Sequence, residues 1–163
     1  MRQGREQINH LSLNFNRAHM NVRDYFSEEE KLQIIQAIRT AEVTTSGEIR
    51  VHIEKKCSIN VLDRATYIFE KVDMHKTRLR NGVLFYLAVE DKKFAILGDA
   101  GIHQKVTEDF WEEIKNEMAR KFAEGKFAEG LVAGIKKAGE QLSLHFPWQK
   151  DDMNELSDEI SFG

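Results

Sequence analysis

Seven consecutive apolar residues, Val83-Leu84-Phe85-Tyr86-Leu87-Ala88-Val89, most restrict what this chain can become. The run is far too short to cross a bilayer, which takes about 18 or more apolar residues. It has the length of a strand, and side chains on a strand alternate between faces. Apolar residues at every position therefore load both faces, and such a strand is buried on both sides at the centre of a sheet. A second segment behaves differently. Glu48-Ile49-Arg50-Val51-His52-Ile53-Glu54 alternates strictly, placing Ile49, Val51 and Ile53 on one face and Glu48, Arg50, His52 and Glu54 on the other.

Helical segments flank these strands. Ser27-Glu28-Glu29-Glu30 is a capping box opening a helix whose stripe is Leu32, Ile35 and Ile38, joined by Ile34 and Ala41. A second helix is predicted from Val61 to His75, with Leu62, Ala65, Ile68, Phe69 and Val72 inward. The polar turn Glu90-Asp91-Lys92-Lys93 folds the apolar strand back onto Phe94–Leu97 as a hairpin, ending at Gly98-Asp99-Ala100-Gly101. Thr107 caps a helix with Phe110, Trp111, Ile114, Met118 and Phe122 inward. The duplicated Lys121-Phe122-Ala123-Glu124-Gly125 and Lys126-Phe127-Ala128-Glu129-Gly130 is too short for a repeat array and marks a corner before a last helix, closed by Pro147. The order α-β-α-β-β-α-α contains one βαβ crossover, expected parallel and right-handed, and one hairpin. The expected fold is a compact α/β/α sandwich: a small mixed sheet with helices on both faces.

Residues 20–147 form this domain. Residues 1–19 carry three arginines against one glutamate, show no helical period, and read as a vector-derived or disordered leader. Residues 148–163 read as an acidic tail, mobile or loosely docked. A net charge of −3 argues against nucleic acid as a partner, and no apolar run argues for a membrane. The single cysteine, Cys57, excludes an internal disulfide and a cysteine-rich metal site, which suits a cytoplasmic protein.

The stretch from Phe26 to Phe146 resembles the TPM-domain family. The resemblance rests on Thr45-Ser46-Gly47-Glu48-Ile49-Arg50-Val51, Arg80-Asn81-Gly82-Val83-Leu84, Phe94-Ala95-Ile96-Leu97-Gly98-Asp99-Ala100-Gly101-Ile102 and Phe127-Ala128-Glu129-Gly130-Leu131. The family includes thylakoid-lumen proteins linked to photosystem repair, a receptor-modulating animal protein and short cytoplasmic bacterial members, to which this chain is most similar. The resemblance implies a compact α/β/α sandwich, divalent-metal binding (calcium in particular, with magnesium as the alternative) and a phosphatase activity found in some members. Many relatives carry a signal peptide and a membrane anchor, and this sequence shows neither pattern.

The expected topology gathers oxygen donors at one end of the sheet. Glu48 opens the first strand, Asn81 stands before the second, Asp99 ends the third, and Glu108 and Asp109 begin the next helix. Calcium takes about six to eight oxygens from carboxylates, amides, carbonyls and water. These five are the candidate metal ligands, although acids at strand ends are ordinarily solvated and Glu108 and Asp109 suit a helix start in any case. Arg78 and Arg80 are candidates to hold a phosphate beside the metal, or belong to a solvated connector. Three functions follow: a calcium-binding domain, a metal-assisted phosphatase acting on phosphate monoesters, and an interaction module whose acidic tail docks a protein partner. His52 reads as a surface residue, and Cys57 sits in no catalytic motif.

Overall fold

The computed structural model describes residues 20–163, so the leader assigned to residues 1–19 lies outside the described residues. A 3₁₀ turn (Val22–Tyr25) precedes α1 (Glu28–Glu42), β1 (Glu48–Glu54), α2 (Val61–Lys71) and a second 3₁₀ turn (Met74–Lys76). Then come β2 (Gly82–Ala88), β3 (Lys93–Gly98), one-turn α3 (Ala100–His103), α4 (Glu108–Ala123), α5 (Phe127–His145) and β4 (Ser161–Phe162). The capping box forms: Ser27 Oγ accepts from the Glu30 N–H, and Glu30 accepts from the Ser27 N–H, both at 3.0 Å.

The mixed sheet has the order β3-β2-β1-β4. β1 runs parallel to β2 and to β4, while β2 and β3 form the hairpin. Every residue of β2 is buried, as its unbroken apolar run requires. Ile49, Val51, Ile53, Val83, Phe85 and Leu87 pack against α1, α4 and α5 in the larger core. Leu84, Tyr86 and Ala88 pack against Ala65, Ile68 and Phe69 of α2 in the smaller one. Helices cover both faces, which is the α/β/α sandwich expected.

Four details differ from expectation. α2 stops at Lys71 rather than His75, because Asp73 turns left-handed (φ 63°) and starts the 3₁₀ turn. α1 buries Ile34, Ala37 and Ile38 and leaves Leu32 exposed, while on α2 Leu62 is exposed. The α1 rotation follows from close packing on α5: a Cβ on Gly139 would lie 2.6 Å from Ala41 Cβ, so small residues rather than large ones face the partner helix. The polar face of β1 is not solvated: Arg64 reaches Glu54 from α2, Ser161 and Gly163 close over His52, and His52 is buried rather than superficial. Finally, the acidic tail is part of the sheet. Ser161 and Phe162 pair with His52 and Ile53, and the Gly163 N–H donates to the Ile53 carbonyl at 3.1 Å. Ile160 and Phe162 pack on the larger core and Leu156 on the smaller.

Candidate functional site

At the N-terminal end of β1 the alternation that packs Ile49 inward turns Glu48 toward the tail. Glu48 is only 2% exposed. Its N–H donates to the Asn81 carbonyl at 3.3 Å, and Oε1 accepts the Glu155 N–H at 2.6 Å. Oε2 has no donor, and neither does Oε1 of Glu42 at the end of α1. The Glu42 carboxyl lies within hydrogen-bonding reach of Glu48 and of Asp158 from the tail. Ionised, these three groups offer one another lone pairs and no donor. A proton on Glu42 is the only donor the trio itself can supply, and burial, then Asp158 and Glu48, push the Glu42 pKa up to about 12. Burial also raises Glu48, against the pull of the Glu42 hydrogen bond. Asn81 is 1% exposed; its Nδ2 donates to Ser46 Oγ at 3.3 Å, and its Oδ1 has no donor. Among the described residues no three His, Cys, Asp or Glu side chains stand as a ready-made metal cage. What this end of the sheet holds is a cluster of buried carboxyls and, before the neighbouring strand, an unpartnered amide oxygen.

The other expected ligands are placed differently. Asp99 does return to the same sheet end, its N–H donating to the Gly82 carbonyl at 2.9 Å. Its carboxylate, however, is engaged: Arg80 Nε and Nη2 donate at 2.7 and 2.8 Å, and the Ala100 N–H at 2.7 Å. Gly101 lets α3 seat against this loop, since a Cβ there would lie 2.2 Å from the Leu79 carbonyl oxygen. Glu108 and Asp109 are exposed in the first turn of α4 and do not join the buried oxygens. The Arg78 N–H donates to Glu155 at 3.1 Å and its guanidinium lies 3.9 Å from Asp152. Glu48 and Asn81 are thus brought together, while Glu42 and Asp158, which complete the cluster, were not anticipated. One signal was available: an acid in the last turn of a helix faces the negative end of the dipole, which makes Glu42 electrostatically out of place.

The opposite end of β1 is built the other way. Glu54 is 5% exposed and every partner it needs is present. Arg64 Nε donates to it at 3.0 Å, the Tyr86 hydroxyl at 2.6 Å and His52 Nε2 at 3.1 Å. Burial alone would raise its pKa, but these bonds pull it down to about 2. His52 is held low by burial, against the pull of Glu54. With Nε2 donating to the ionised Glu54, His52 Nδ1 accepts the Ser161 hydroxyl at 2.8 Å. Gly163 lies over both, where a Cβ would stand 2.7 Å from Glu54 Oε1. Ser161, His52 and Glu54 therefore form a covered tie between tail and sheet rather than an open nucleophile. Cys57 is buried, its thiol donating to the Ile59 carbonyl at 3.3 Å.

Comparison with known proteins bears on the fold and the family. Residues 20–141 match the TPM domain. The solution structure of the BA42 protein from the psychrophilic bacterium Bizionia argentinensis is 50% identical and superposes with a TM-score of 0.83, covering 88% of this chain and 99% of that one. The N-terminal domain of the cg2496 protein from Corynebacterium glutamicum is 14% identical with a TM-score of 0.59, covering 71% of this chain and 73% of that one, and shares the fold. No curated protein matches the chain. No helix among the described residues is long and apolar enough to cross a membrane.

Proposed function

Because the chain belongs to the TPM-domain family, we propose that it is a divalent-cation-binding domain whose ion is held by Glu48, Glu42 and Asn81 at the N-terminal end of β1. The observation that carries this reading is the buried, donorless Oε2 of Glu48. Leaving a buried charged oxygen unpaired is costly, and it is tolerated where something else satisfies it. A bound divalent cation supplies the positive charge that these carboxyls lack. Glu48 and Glu42 offer negative oxygens, and Asn81 Oδ1 a neutral one, which is an all-oxygen donor set for a hard cation. Calcium suits a cluster drawn from a helix end, a strand and a loop better than magnesium, which demands a stiff octahedron. In the ion-free form the Glu42 proton takes over the role of the charge, so binding must release it.

The phosphatase reading draws less support, since Arg80 closes on Asp99 with two hydrogen bonds and is not free for phosphate. The acidic-tail reading is weakened because Glu155 and Asp158 turn onto the domain. The proposal takes the domain to be cytoplasmic, a setting that a chain with Cys57 as its lone cysteine suits. A calcium titration followed by amide NMR shifts tests the site. The largest shifts should fall on Glu42, Glu48, Asn81 and their neighbours. Shifts confined to Glu108–Asp109 or to Asp151–Asp152 would place the ion elsewhere and overturn the assignment.

A further inference from the structure

The sheet ends on β3, and the register of the hairpin settles which way its backbone groups point. The Asp99 N–H donates to the Gly82 carbonyl at 2.9 Å, so opposed residues exchange hydrogen bonds there and at every second position along the ladder: Leu97 with Leu84, and Ala95 with Tyr86. Phe94, Ile96 and Gly98 therefore turn their N–H and carbonyl groups away from β2, and no described residue meets them there. Open edges are commonly guarded by a charged side chain. Lys93, the one cation of β3, is turned elsewhere: its ammonium group donates to the Cys57 carbonyl at 3.1 Å. Nor is this edge freely washed by solvent. Phe94 and Gly98 are half-buried, and Ile96 is only 5% exposed. The edge lies in a groove of about 570 Å³ between β3 and the start of α4, walled by Val106, Trp111, Glu108 and Glu112. A Cβ on Gly98 would stand 2.3 Å from the Trp111 ring, so the indole lies against the end of the edge. Backbone donors and acceptors with so little access to water are ordinarily paired.

We propose that the β3 edge is a docking groove for an extended, basic segment of another protein, which adds to the sheet as a strand beside β3. Alternating N–H and carbonyl groups, repeating at about 3.3 Å per residue, are matched along their length by one chemistry, an extended polypeptide. Side chains of the added strand alternate in direction, and those on the α4 side enter the groove against Val106 and Trp111, which favours an apolar residue there. The first two turns of α4 carry the exposed acids Glu108, Asp109, Glu112 and Glu113 against one cation, Lys115, which already stands 3.8 Å from Glu112. Lysine or arginine at the Gly98 end of the added strand complements that charge. The recess also selects the kind of guest. A second copy of this chain would bring its own α2 and α4 alongside its β3, whereas a bare strand enters between β3 and α4 unencumbered.

The test uses the full chain, amide hydrogen exchange, and a short capped peptide that alternates valine with lysine. Without peptide, the amides of Phe94, Ile96 and Gly98 should exchange faster than those of Ala95 and Leu97, which are bonded to β2. At about 1 mM peptide, enough to half-fill even a weak site, exchange at Phe94, Ile96 and Gly98 should slow at least about twofold. The same peptide with alternate backbone nitrogens methylated keeps its side chains but loses its edge donors, and should bind at least about tenfold more weakly. Glutamate in place of its lysines should weaken binding about threefold, the scale of exposed ion pairs. The double variant Glu108→Lys, Glu112→Lys, altered only at exposed positions, should cancel that preference. No slowing at the three amides, slowing centred on other elements, or equal binding of the methylated peptide would overturn the proposal. So would slowing that grows with protein concentration in the absence of peptide, which would make the occupant a second copy.

Discussion

The two ends of β1 hold buried glutamates in opposite conditions, six residues apart on one face. Glu54 is surrounded by donors from Arg64, Tyr86 and His52, and is held ionised. Glu48 has one backbone donor, an empty Oε2, and two acids for neighbours. Both are almost fully buried, so burial does not separate them; the supply of positive charge and donors does. A satisfied buried carboxylate fastens a fold together. One short of donors adds little stability of its own and leaves an oxygen open to a ligand. The contrast separates residues that hold this domain together from residues that give it something to bind.

The largest expected effect lies at the satisfied end. Glu54→Ala leaves the Arg64 guanidinium and the Tyr86 hydroxyl without their acceptor, and should lower unfolding free energy by about 3–5 kcal/mol in a denaturant titration. Phe85→Ala, in the larger core, should lose a similar amount, about 3–5 kcal/mol. An effect near zero at Glu54 would erase the distinction between the two ends.

Glu48→Gln should go the other way. It keeps the shape, removes a charge from the crowd, and can donate to Glu42, so the calcium-free protein should gain about 1 kcal/mol, the scale of a newly satisfied buried group. A loss of several kcal/mol would mean that Glu48 is a structural anchor like Glu54.

The two ends should also respond to pH with opposite sign. Glu54 is depressed to about 2, so its contribution is present above the ordinary value of 4.5 and is lost as pH falls from 4.5 toward 2. Glu42 is raised to about 12, so its contribution is intact below 4.5 and is lost as pH rises from 4.5 toward 12. In calcium-free buffer, Glu42→Gln should therefore flatten the decline of stability between neutral and alkaline pH and leave the acid limb unchanged. Parallel wild-type and variant curves on the alkaline side would contradict this. The smallest expected change is at Asp151, exposed in the acidic tail, where Asp151→Asn should shift stability by less than about 0.5 kcal/mol.

Much of this fold is legible from the chain alone, and the failures share one physical cause. The unbroken run through Phe85 could only be a strand covered on both faces, and the Ser27 capping box fixed the start of α1 to the residue. Where burial is achieved by pairing rather than by apolarity, pattern misleads. His52 and Glu54 alternate like solvent-facing residues, yet Arg64 and Tyr86 satisfy Glu54, and Ser161 from the C-terminal end reaches His52. Leu32 looks like core and Ala37 does not, because close helix approach selects small side chains. The same limit applies to the candidate site. Topology brought Glu48 and Asn81 together, since each stands at the start of a parallel strand. It could not show that Arg80 would occupy Asp99, nor that the acidic tail would fold back onto Glu48.

The most direct test of the central distinction is calcium calorimetry on wild type, Glu48→Gln and Asp99→Asn in the same buffer. Wild type should bind, with proton release that grows as pH falls through the titration of the cluster; Asp99→Asn should bind with similar affinity, and Glu48→Gln should not bind measurably. Undiminished binding by Glu48→Gln, with loss in Asp99→Asn, would put the ion at the Arg80–Asp99 pair and reverse the roles assigned to the two carboxylates.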